Sequence, residues 1–175
     1  MSTNTYTAFA KYNQEADAKI LALLDKLSND DREKDRGSFY KSLSGLARHI
    51  GGGTLFFADL FRTALGSAPA AKFLAPLEKP SYSEEPLDEA QWKKTVENIK
   101  AADQALVEFT EALTEADMAA PVKLNWYGGN PESVPLSFML LQLAAHNTHH
   151  RGQVSQILDE LKIENDYSAI NVAFR

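Results

Sequence analysis

The sequence predicts an all-α fold, a four-helix bundle, and three observations carry that prediction. Apolar residues recur at the three-and-four spacing of amphipathic helices over four long stretches. Prolines, glycines and clustered charges concentrate in the links between them. The length of 175 residues suits one ordinary domain with a sizeable core, so residues 1–175 are read as a single domain.

The first helix is expected from Tyr6 to Leu27, with Phe9, Ala16, Ile20, Leu23, Leu24 and Leu27 on one stripe. Asn29, Asp30, Asp31 and a charged run through Arg36 break it. A second helix is expected from near Ser38 to about Leu65, turning Leu43, Leu46, Ile50, Phe57 and Phe61 inward. Residues 66–87, with Gly66, Pro69, Pro76, Pro80 and Pro86, read as a long irregular crossover connection. The first link is short enough to join antiparallel neighbours.

Asp88 is a good N-cap for the third helix, whose stripe is Trp92, Val96, Ile99, Leu106, Phe109 and Leu113. The fourth runs from about Pro135, a residue suited to a first helical turn, to Leu161. Between these two helices Val122-Lys123-Leu124-Asn125-Trp126 alternates with period two, and Gly128-Gly129-Asn130 follows. That pattern predicts a small hairpin.

Composition narrows the function. Apolar residues make up 44% of the chain and charged residues 24%, the balance of a globular domain. A net charge of −6 argues against a nucleic-acid partner. The absence of cysteine rules out disulfides, thiolate ligands and cysteine nucleophiles. Met1-Ser2-Thr3-Asn4-Thr5-Tyr6 has no signal-peptide character, and no apolar run approaches the roughly 20 residues that span a bilayer. A cytoplasmic location and no membrane partner are therefore expected.

The histidines are His49, His146, His149 and His150. His146 and His150 stand at i,i+4, one turn apart on one helix face, a spacing that suits two imidazoles on one ion. The stripe Leu136, Leu140, Leu143, Asn147, His150, Val154, Ile157, Leu161 puts His150 among the core-facing residues. His146 lies beside it, and partly desolvated rings need partners for their nitrogens. His149 points nearer the polar flank and is not expected to be a ligand.

His49 adds a histidine to an otherwise apolar face of the second helix, followed by Gly51-Gly52-Gly53. Each helical glycine costs about 1 kcal/mol relative to alanine. The run reads as a close helix approach, as room beside the histidine, or as a flexible joint or the end of a shorter helix.

These residues resemble a known family. His146-Asn147-Thr148-His149-His150-Arg151-Gly152-Gln153 is similar to the signature of the DinB/YfiT-like metalloenzymes. Tyr12-Asn13 resembles the family's early Tyr-Asn pair, and Ser42-Leu43-Ser44-Gly45-Leu46-Ala47-Arg48-His49 resembles the segment leading to its second-helix histidine. The resemblance implies a four-helix bundle of unusual connectivity, with a metal near one end held by His49, His146 and His150. The chain departs from the pattern at Phe56 and Phe57, where many relatives have a tryptophan nearby, and in its glycine run.

Three neutral imidazoles suit a divalent transition metal, zinc, nickel or iron, and suit magnesium or calcium poorly. Three protein ligands also leave a position for water or substrate. That open position leads to the expectation of a metal-dependent enzyme with an open three-histidine site, and the resemblance implies a thiol-dependent transferase or a hydrolase. Its partner would be a small-molecule substrate such as a low-molecular-weight thiol. The alternative is a non-catalytic, stress-associated binding protein whose metal is structural or sensory.

Asn13, on the apolar stripe of the first helix, either orients a ligand or caps backbone carbonyls. Trp126, Tyr127 and Asp59 are candidates for a pocket rim. Leu55, Phe56, Phe57, Leu60 and Phe61 cover more than one helix face and raise the expectation of a homodimer, to which the resemblance also points.

Overall fold

The computed structural model describes residues 3–79, 86–124 and 132–171. In chain order its elements are α1 (Thr3–Leu24), α2 (Asn29–Glu33), α3 (Leu43–Leu65), a 3-10 turn (Pro69–Phe73), α4 (Glu89–Ala112), α5 (Glu115–Met118), β1 (Pro121–Leu124), β2 (Glu132–Pro135) and α6 (Leu136–Glu160). The long helices α1, α3, α4 and α6 are the four expected from the apolar stripes.

Their ends follow local chemistry that the stripes do not carry. α1 stops at Leu24 rather than Leu27 because buried Arg32 takes the freed carbonyls, donating from Nη1 to Leu27 O at 2.5 Å and Leu24 O at 3.4 Å. Its Nη2 meets Glu89 at 2.6 Å, and the guanidinium lies over Trp92. α2 forms where only a break was expected, since Ser28 accepts from Asp31 N and caps a turn.

α3 begins at Leu43, not near Ser38. Gly37 and Lys41 have φ of 73° and 63°, values no right-handed helix passes through, and Ser42 then caps the helix by accepting from Gly45 N. Asp88 caps α4 in a reciprocal box with Gln91. β1 and β2 pair antiparallel, Val122 opposite Val134, with Val122 and Leu124 turned inward. Asn125, Trp126 and the Gly128-Gly129-Asn130 turn lie outside the described residues.

α1 packs chiefly on α4 and also on α6, while α3 packs chiefly on α6 and also on α4. Round the bundle the order is therefore α1, α4, α3, α6. The short first link joins helices on opposite corners, not the neighbours expected, because α2 and Arg32 clamp the end of α1 onto the start of α4. Lys11–Glu111 and Gln14–Gln104, each at 2.8 Å, show α1 and α4 antiparallel. Gly51 against Ile99 and Phe61 stacked on Phe109 show α3 and α4 parallel. Parallel neighbours need a long return, and residues 66–87 supply the crossover.

That return also fills space. Ala70, Ala71 and Leu74 are buried, and Phe73 and Leu77 pack on the same core. Beneath them Phe57 and Phe61 are buried, with Phe56 and Leu60 partly so. The stripe that raised the expectation of a homodimer is therefore largely covered within one chain. Among the described residues the exposed large apolar side chains are Phe39, Phe138 and Ile170, and no helix is long and apolar enough to cross a membrane.

The core falls into two clusters stacked along the bundle. One gathers Tyr6, Phe57, Phe61, Phe109 and Leu140, the other Ile20, Leu24, Leu46, Trp92 and Val154. Between them a buried polar belt crosses the waist: Asn13 and Asp17 on α1, Thr54 on α3, Asp103 on α4, Asn147 and Arg151 on α6.

Candidate metal centre

The histidines stand at this waist, on the edge where α3 meets α6, and not at an end of the bundle. His49 Nε2 is 2.9 Å from His146 Nε2 and 3.0 Å from His150 Nε2. One ligand atom from each ring lies within 4.8 Å of the others, and such a set could hold a metal ion. His49 and His146 are half-buried and His150 is buried.

A chain of hydrogen bonds fixes where the protons sit. The Thr54 hydroxyl donates to Ile50 O at 3.2 Å, so it accepts from Asn147 Nδ2, also at 3.2 Å. Asn147 Oδ1 is thereby turned to His146 Nδ1 at 2.9 Å. An amide oxygen only accepts, so Nδ1 carries the proton and His146 Nε2 keeps its lone pair. Gln153 Oε1, 2.7 Å from His150 Nδ1, acts likewise on His150.

Two lone pairs thus face His49 Nε2. A proton there satisfies only one of them; without it, three lone pairs oppose one another. A cation satisfies all three. Nitrogens sharing a tetrahedral ion stand roughly 3.3 Å apart, given metal–nitrogen bonds of about 2.0–2.1 Å. The two approaches to His49 Nε2, 2.9 and 3.0 Å, are slightly tighter than that, while the three ligand atoms together span up to 4.8 Å, so the rings would readjust around an ion.

The electrostatics agree. Burial, then the proximity of His150 and His146, holds His49 down at about 4 against an ordinary 6.5. Burial also lowers His146 and His150, against the opposing hydrogen bonds from Asn147 and Gln153. Neutral rings are the ones that bind metal.

The glycine run continues as helix and serves close approach. A Cβ on Gly53 would lie 2.5 Å from His146 Cε1, and one on Gly51 would lie 2.5 Å from Ile99 Cγ1. Gly53 makes room for an imidazole, and Gly51 lets α4 come near.

Next to His150, Arg151 turns the other way, toward α1. Buried at 2% exposure, it donates from Nη1 to Asn13 Oδ1 at 2.6 Å and Asp17 Oδ1 at 3.2 Å, and lies over Tyr12. Asn13 therefore holds Arg151 rather than a histidine or a backbone carbonyl. Asp103 is also buried, and desolvation and Asp17 push its carboxyl well above the usual range. Asp17 itself is raised to about 6 by burial, in spite of Arg151. One cation cannot keep two buried carboxylates fully ionised, and burial pushes both upward.

The other candidates resolve simply. His149 is exposed, touches His150 edge-on and lies outside the cluster. Asp59 pairs with Arg62. Trp126 and Tyr127 are outside the described residues. Sequence reasoning missed Tyr40, whose ring stacks on His49 with centroids 3.8 Å apart. It missed Asp17 and Asp103 too, although both sit at core-facing spacing, Asp17 four after Asn13 and Asp103 four after Ile99.

Fold and site together define a class: a mainly α-helical bundle protein that presents three converging imidazoles between two of its helices. The chain belongs to the DinB family, whose model matches residues 1–163. Searches of curated proteins and of solved structures each found no match.

Proposed function

We propose that this protein is a metal-dependent enzyme that holds one divalent transition metal through His49, His146 and His150 and acts on a small molecule at the open side of the ion. The observation that carries this reading is the pair of lone pairs aimed at His49 Nε2 by Asn147 and Gln153, in a cluster with no carboxylate among the described residues. A divalent ion on neutral imidazoles keeps its full positive charge and acts as a Lewis acid on an oxygen or sulfur at its free position.

The chain's residues have separable parts in this. Asn147 and Gln153 hold protons on the two Nδ1 atoms, so that both Nε2 atoms stay donors toward the ion. Low-lying imidazole pKa values keep the donor set deprotonated at neutral pH. Half-burial of His49 and His146 leaves the site within reach of solvent. A low-molecular-weight thiol is the substrate class we favour, because a cysteine-free chain must draw any thiolate from a partner molecule.

Elemental analysis and cobalt substitution test this. One equivalent of metal per chain is expected, lost in His49→Ala, His146→Ala and His150→Ala and kept in His149→Ala. The cobalt spectrum should then shift when a small thiol is titrated in. Metal retained by the triad variants defeats the site assignment. A cobalt spectrum that ignores saturating thiol and azide means a closed site and a structural or sensory metal.

A further inference from the structure

We propose that Tyr40 is the residue that orients His49, through its ring face, in the place that amide oxygens fill for the other two histidines. The proposal rests on the metal reading above for its consequence, but its geometry stands alone. His146 Nδ1 is held by Asn147 and His150 Nδ1 by Gln153. Among the described residues no hydrogen bond holds His49 Nδ1. An imidazole on a single Cβ–Cγ bond still has a rotation to lose before it can act as a ligand, and something must take it.

Tyr40 supplies that contact. Its ring lies on His49 with centroids 3.8 Å apart and planes within 21°, and it meets His150 edge-on at 5.3 Å. It thus touches two of the three histidines from the α2–α3 link.

The link is shaped to deliver it. Arg36 N donates to Lys41 O at 2.7 Å and Lys41 N to Ser38 O at 2.9 Å, closing a tight loop. Lys41 sits at φ 63°, left-handed backbone that strains a residue with a side chain, and such outliers persist where the surroundings over-determine them. The Tyr40 carbonyl would lie 2.0 Å from a Cβ on Gly45, so only glycine lets the loop fold down on the start of α3. The carbonyl also accepts from Ser42 N at 2.7 Å. Strain at Lys41 and the missing side chain at Gly45 both serve the position of residue 40.

The experiment compares the parent with Tyr40→Phe, which keeps the ring, and Tyr40→Leu, which keeps apolar bulk alone. Cobalt affinity by chelator competition and the visible band positions should match in the parent and Tyr40→Phe. Tyr40→Leu should bind about ten-fold more weakly, with displaced bands. Unchanged affinity and bands in Tyr40→Leu overturn the proposal, as does an equal loss in Tyr40→Phe, which would move the role to the hydroxyl. A metal-free readout separates this from the metal reading. The His49 ring protons should be shifted upfield by the stacked ring in the parent and Tyr40→Phe, and released in Tyr40→Leu. If the parent takes up no cobalt, the metal reading falls and this shift alone decides. The same His49 shift in all three proteins overturns Tyr40's role.

Discussion

His150 and Arg151 are neighbours on one helix, yet they serve opposite halves of the waist. Toward α1 and α4, Arg151 finds Asn13, Asp17 and the Tyr12 ring, and its side is closed by charges that answer one another. Toward α3, His150 finds two more imidazoles and no opposite charge among the described residues. One half carries its own counter-charge, although Asp17 Oδ2, Asp103 Oδ1 and Arg151 Nε lack hydrogen-bond partners among the described residues. The other is polar and short of a positive centre. The difference teaches how a buried polar belt divides its work: balanced ions hold helices in register, and an unbalanced donor set asks for a ligand.

The sharpest way to break the comparison is to unbalance the balanced half. Arg151→Met leaves Asp17 and Asp103 buried without their cation. Breaking such a pair from one side costs about 3–5 kcal/mol. Urea unfolding of the metal-free protein should show a loss of that size. A loss under about 1 kcal/mol, small beside the usual cost of breaking a buried pair, would mean the network is wetter and weaker than its burial suggests.

Glycines sharpen the other half, with a smaller effect. Gly53→Ala drives a methyl into His146, and overpacking of this kind costs about 1–3 kcal/mol. If the ring moves instead, cobalt affinity falls while stability holds. Gly152, on the exposed side of α6, has nothing within 4 Å of its Cβ direction. Gly152→Ala should therefore gain about 0.5–1 kcal/mol and leave metal binding untouched. Thermal denaturation and chelator competition on both variants separate crowding at the imidazole from helix propensity.

The contrast also explains what the sequence could reveal. Helical stripes show which face of each helix is buried, so the four long helices and the inward direction of His150 were legible. They do not say against which partner a face is buried, so the corner order α1, α4, α3, α6 was not. The spacing of His146 and His150 alone also suits hydrogen-bonded core histidines, and the three-histidine set was readable through the resemblance of His146–Gln153 and Ser42–His49 to the family's motifs. Asp17 and Asp103 were passed over because carboxylates are read as solvated, although each keeps the spacing of a core position. Tyr40 was out of reach: it arrives at His49 through left-handed backbone at Lys41, which no periodicity encodes.

A modest effect, and the most discriminating, is on pH dependence. Asp17 and Asp103 have folded pKa values raised above the ordinary 3.8, Asp17 to about 6. Stability tied to Asp17 is present in full below about 3.8 and is lost as pH rises through 6, and the part tied to Asp103 is likewise lost as pH rises through its raised folded value. His49 has its folded value lowered to about 4 from 6.5, so its contribution is present above 6.5 and is lost as pH falls through 4. Asp17 and His49 thus act over nearly the same window with opposite signs, and in the metal-free protein these two contributions oppose each other. Asp103→Asn removes one raised carboxyl only. The amide copies the shape of the protonated acid and leaves Arg151 with Asp17 as its single counter-ion, while Asp17, raised by its own burial, keeps its shift. The variant should match the parent near pH 4. By pH 7.5 it should exceed the parent by about 1–2 kcal/mol, the scale of relieving one buried carboxylate. Urea midpoints at both pH values, with chelator present, measure this. Parallel pH profiles for the two proteins would mean that Asp103 is ionised in the fold, and that Arg151 balances two charges rather than one.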